Sequence, residues 1–165
     1  MIRRPGLFLA CFAVSAALLL VAWSHLSGHY LAALIWVVNS ALNLSGTPLS
    51  LPLPQLSGNE MVYPGLAGGV ALFVATPRSL RWKARWLAVL LVALCLLHAS
   101  QLYLGAWMAV AQNAARLQGV ETSSAVGLLS YLGELSETWG TVAGVLLLWF
   151  MAIGGLGDHR VADPD

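Results

Sequence analysis

Apolar residues run through this chain in long blocks rather than in the alternating or one-sided patterns of a soluble fold. Residues 7–23 are apolar apart from Ser15, and residues 61–76, 86–108 and 139–156 form three further blocks. A bilayer core takes roughly 20 apolar helical residues to cross, with about 17 as the lower bound. The four blocks therefore predict membrane-spanning helices, the second of them barely long enough. A fifth stretch, 30–44, is shorter and carries Asn39, Ser40 and Asn43. Its length falls in the ambiguous range, and it reads as an interfacial or re-entrant helix. The expected fold class is all-α: a polytopic membrane protein of one domain covering residues 1–165, with outer segments at 24–60 and 109–138.

Composition strengthens this reading. Hydrophobic residues make up 59% of the chain and charged residues 9%, whereas soluble domains are about a quarter charged. Mean hydropathy is +0.78. With Lys plus Arg at 8 and Asp plus Glu at 7, no basic field exists to attract nucleic acid, and none is expected as a partner. The expected surroundings are membrane lipid.

The basic residues orient the spans. Arg3, Arg4, Arg78, Arg81, Lys83, Arg85 and Arg160 fall on one side of a four-span layout, and only Arg116 falls on the other. Positive charge marks the cytoplasmic side. The expectation is a multi-pass protein of a bacterial inner membrane with both termini cytoplasmic. Glu60, Glu121, Glu134 and Glu137 then lie outside. Ala-Trp-Ser is a poor cleavage site, so the first block reads as an uncleaved anchor.

Within the outer segments, residues 47–58 alternate Leu with Pro or Ser, which points to an extended loop. Gly65/Gly69 and Gly140/Gly144 are small-xxx-small pairs near the outer ends of the second and fourth spans. Such pairs let helix backbones approach in lipid, so these two helices are expected to touch through them.

Candidate chemistry is sparse. His25 and His29 are four apart, the spacing that puts two imidazoles on one helix face as metal ligands. Ser27 and Gly28 lie between them, however, and a break there would separate the rings. Cys95, His98 and Gln101 share a face of the third helix, with His98 about 18 Å beyond Trp86 at a 1.5 Å rise. An ionisable group at that depth is a functional candidate, although a neutral histidine bonded to a neighbouring helix explains it as well. Cys95 and Cys11 are too deep in apolar sequence to act as thiolate nucleophiles. Asn39 and Asn43 suit either a polar ligand or the outer surface of the bundle. Glu134 and Glu137 suit either paired carboxylates or the acidic start of a helix. No catalytic, metal or cofactor set assembles from these residues, and none is expected.

One resemblance emerges from the layout. Tyr63-Pro-Gly-Leu-Ala-Gly-Gly opens a short Gly-rich helix that ends at Ala75-Thr-Pro77. A basic turn, residues 78–85, then leads into a long helix with a Gln-bearing outer extension. This order resembles the small integral membrane proteins that accompany bacterial exosortases, the exosortase H-associated type, over residues 63–149. The resemblance implies a non-enzymatic accessory role in protein sorting or surface anchoring, with an exosortase-like membrane enzyme as partner contacted through the outer loops. The Cys, Arg and His set of the enzymes themselves has no counterpart here. The alternative is a small subunit of a larger membrane redox or transport complex, with His98 contacting a cofactor or quinone.

Overall fold

The computed structural model describes residues 5–46, 49–52, 62–117, 127, 131 and 139–154, apart from the side chain of Arg116. Helix α1 spans Pro5–Leu44, α2 Pro64–Ala75, α3 Leu80–Leu117 and α4 Thr141–Ile153. Every regular element among the described residues is helical, as an all-α chain requires. A proline opens the second helix, Pro64 at the start of α2. The first helical position needs no N–H donor, and proline's fixed φ suits it. Thr76 turns extended, φ −64 and ψ 127, directly before Pro77, because proline crowds a helical predecessor. Lys83 then donates its Nζ to the Val74 carbonyl at 2.6 Å, covering one of the carbonyls left open at the end of α2.

Helix lengths correct the expected layout. α1 and α3 are long and apolar enough to cross a membrane. At 40 and 38 residues, they extend about 60 and 57 Å at 1.5 Å per residue. α2 and α4 have 12 and 13 residues, or about 18 and 20 Å, well short of a hydrocarbon core of about 30 Å. Two helices are therefore of spanning length, not four. The stretch 30–44 is not a separate interfacial or re-entrant piece either. It continues α1 without a break through Ser27 and Gly28. The reason is a buried stripe, Trp23, Ser27, Leu31, Leu34, Val38 and Leu42, which keeps helical period from one end of the stretch to the other. Packing along five turns outweighs the cost of about 1 kcal/mol that one glycine brings to a helix.

The helices alternate in direction. α1 and α3 run together: Tyr30 meets His98, and further along Val38 and Leu42 share an apolar cluster with Ala106, Leu102 and Tyr103. α2 and α4 run the opposite way, since Tyr63 and Thr141 at their starts both lie on His98, while Trp149 Nε1 donates to Thr76 Oγ1 at 2.9 Å near their ends. A main core joins Leu66, Ala67 and Phe73 of α2 to Leu90 and Leu94 of α3, Trp23 of α1 and Val145 and Ala152 of α4. Beyond the starts of the two short helices, α1 and α3 continue as a pair, with Leu49 and Leu51 packed against them.

The expected small-residue contact is present in altered form. A Cβ on Gly65 would lie 2.7 Å from Thr141 Cγ2, and one on Gly69 would lie 2.9 Å from Val145 Cγ2. α2 therefore uses its glycines to approach α4, but it meets Thr141 and Val145 rather than Gly140 and Gly144. A Cβ on Gly144 would meet nothing within 4 Å. Positions one residue apart on a helix differ by about 100° around its axis, so only one of each pair faces the neighbour.

Candidate functional site

Where the four described helices converge, polar and aromatic side chains collect around one imidazole. His98 is fully buried. Its Nδ1 lies 2.8 Å from the Tyr30 hydroxyl, and its Nε2 lies 3.1 Å from Thr141 Oγ1. Either neutral tautomer closes the chain, because each hydroxyl can donate or accept. With Nε2 protonated, Tyr30 donates to Nδ1 and Nε2–H donates to Thr141. With Nδ1 protonated, both directions reverse. The ring is thus tied to α1 on one side and to α4 on the other.

Tyr63 covers the face of the same ring, with centroids 3.8 Å apart and planes 12° apart. Its edge also meets Tyr30, with centroids 6.1 Å apart at 88°. Trp23 packs on Tyr30 at 5.2 Å and donates its Nε1 to the Val62 carbonyl at 2.7 Å. That second contact holds the chain just ahead of Tyr63. Tyr63 itself stands at φ 52, ψ 55, the only non-glycine residue with positive φ among those described. A left-handed backbone costs an ordinary residue roughly 1–2 kcal/mol, so the ring contacts hold the backbone where it would not rest alone.

This arrangement assigns places to the residues singled out in the sequence. His98 and Cys95 share the bundle-facing side of α3, and Gln101 is half-buried one turn further on. Both nitrogens of His98 are engaged by protein, so ligating haem or contacting quinone would require one of these bonds to break. His25 and His29 share a face of the unbroken α1, but that face is exposed and turned away from His98. Asn39 serves the fold: its Oδ1 accepts from Leu51 N at 2.7 Å and its Nδ2 donates to Leu51 O at 3.1 Å. Asn43 is exposed. Glu134 and Glu137, like Glu60 and Glu121, lie outside the described residues. Among the described residues no three His, Cys, Asp or Glu side chains gather as a metal site, and both cysteines are free.

Tyr30 and Thr141 are the members that sequence reading missed. Tyr30 does carry a signal, since it follows Trp23 by seven residues and so falls on the same helix face. Thr141 is hidden inside the small-residue motif that contains it. Neither a family model nor a curated protein nor a solved structure matches this chain.

Proposed function

We propose that this protein is a non-enzymatic accessory subunit of a bacterial inner membrane, acting through the outer ends of α1 and α3 on a membrane-protein partner. The observation that carries the reading is the surface of those outer ends. Trp36 is 72% exposed and Leu104 59% exposed. They lie beside an apolar groove of about 460 Å³ formed by Val37, Val38 and Ala41 of α1 with Leu96, Ala99 and Tyr103 of α3. Exposed apolar surface beside a concave seam suits an apolar helix or loop of a membrane-protein partner, packed where α1 and α3 rise past the bilayer. The layout resemblance suggests an exosortase-like sorting enzyme as that partner.

Membrane residence is supported by burial. The most apolar windows of α1 and α3 are only 6% and 17% buried, whereas a core helix of a soluble domain would be mostly covered. α2 and α4 complete the proposed four-span layout as short helices that the bilayer accommodates by local thinning. The basic turn at Arg78, Arg81, Lys83 and Arg85 is then cytoplasmic, as are both termini. The polar cluster at His98 acts as an internal tie and leaves no ring nitrogen for a substrate, which favours a non-catalytic role.

Site-specific photocrosslinking in native membranes tests this reading. Crosslinkers at Trp36 and Leu104 should capture one membrane protein that a crosslinker at Leu9 does not. Equal capture from all three positions, or none from the outer pair, would remove the surface from any interface. Thiol labelling of Ser50→Cys from outside and of Ser79→Cys from inside checks the orientation.

A further inference from the structure

We propose that His25 and His29 form a two-imidazole site for a divalent first-row transition-metal ion, of the copper(II) or zinc(II) class, on the exposed face of α1. The site depends on helix continuity. Two histidines four apart bring their rings together only if the turn between them is helical, and a serine followed by a glycine is where that turn would fail. Here it does not fail. Trp23, Ser27 and Leu31 are all buried against the bundle, so the segment carrying both histidines is held from its opposite side. Their Cβ atoms then stand about 5–6 Å apart, close enough for both imidazoles to reach one ion at about 2.0–2.1 Å.

Two further observations favour a ligand. Both rings are exposed, and among the described residues neither makes a hydrogen bond. His98 is the opposite case, with both nitrogens taken inside the protein. The pair also sits where the exposed face of α1 changes character. That face presents Leu7, Val14, Leu18 and Val21, and then His25 and His29. From Leu7 to His25 is about 27 Å of helix, near the thickness of a hydrocarbon core, so the rings emerge where water and dissolved ions reach them. Two protein ligands leave the remaining coordination positions to water. Copper(II) should bind most tightly, following the usual order for nitrogen ligands.

The test uses the full chain in detergent or nanodiscs, purified without a polyhistidine tag and titrated with copper(II). The expected result is one ion per chain, with an electron paramagnetic resonance signature of two imidazole nitrogens. His25→Ala and His29→Ala should each weaken binding about tenfold or more, because the second imidazole otherwise binds at high effective concentration. Each should also reduce the signature to one nitrogen, and the double variant should lose the ion. Because both side chains are exposed, thermal unfolding without metal should not change. A double variant that binds like the wild type would overturn the proposal. So would a wild-type spectrum with a single imidazole, and that spectrum decides the matter even if a variant fails to fold.

Discussion

The imidazole of His98 lies flat against the phenol of Tyr63, their centroids 3.8 Å apart and their planes inclined by 12°. The contact joins the bundle-facing side of α3 to the residue that caps the start of α2. Tyr63 is the residue held in left-handed backbone, so the ring stack and the helix start depend on each other. Replacing Tyr63 by alanine removes the stack and keeps the backbone strain. Replacing it by glycine removes both. Tyr63→Gly should therefore be more stable than Tyr63→Ala by about 1 kcal/mol, and both should be less stable than wild type. Thermal unfolding in detergent would rank the three, and alanine above glycine would show that the backbone is not strained.

His98 ties α1 to α4 through Tyr30 and Thr141. His98→Phe keeps the volume and an aromatic face for Tyr63, but it leaves two hydroxyls facing an apolar ring. A loss of about 2–4 kcal/mol is expected, since an orphaned buried polar group costs about 1–3 kcal/mol. Thr141→Val breaks only one bond and should cost about 1–3 kcal/mol. The two losses should combine to less than their sum, because both remove the same bond. Full additivity in a double-mutant cycle would mean that the Nε2 bond contributes nothing.

Gly65 and Gly69 set the distance between α2 and α4. Gly69→Leu would drive a side chain into Val145 and Leu90, and Gly65→Ala would push Thr141 away from His98. Gly65→Ala should cost about 1–3 kcal/mol by overpacking, and Gly69→Leu more. Gly144→Leu should stay within about 0.5 kcal/mol of wild type, as surface changes usually do. Equal damage at positions 69 and 144 would mean that both faces of α4 are packed.

Asn39 pins the stretch at Leu51 through both ends of one amide. Asn39→Ala should free that stretch at a cost of about 1–3 kcal/mol. Hydrogen exchange would register it as faster exchange at the Leu51 amide, whose only described acceptor is Asn39 Oδ1. Unchanged exchange there would show that Leu49 and Leu51 hold the stretch by apolar packing alone.

The Pro/Leu stretch 47–58, together with residues 30–44 and 116–137, reads as outer contact surface. Its described part is turned the other way, since Leu49 and Leu51 cover α1 and α3. Exposed apolar surface occurs on the helices, at Trp36 within the stretch 30–44 and at Leu104. A run of leucines states that a segment wants cover, but not whether a partner or its own bundle supplies it.

Several properties follow from the sequence alone, because they depend on neighbours along the chain. Apolar runs at helical length dictate that the regular elements among the described residues are helices. Pro64 and Pro77 bound α2, and the spacing of Cys95, His98 and Gln101 puts them on one face of α3. Other properties depend on atoms distant in sequence, and only the tertiary structure decided them. Ser27-Gly28 reads locally as a weak point, yet α1 runs through it because packing against α2 and α3 holds both sides. Gly144 reads as the partner of Gly69, yet the rotation of α4 presents Val145. His98 reads as a packing residue or a ligand until Tyr30 and Thr141, 68 and 43 residues away, take its two nitrogens. Local propensity is summed over one turn of helix, whereas a buried hydrogen bond is settled by whichever group the fold brings within 3 Å.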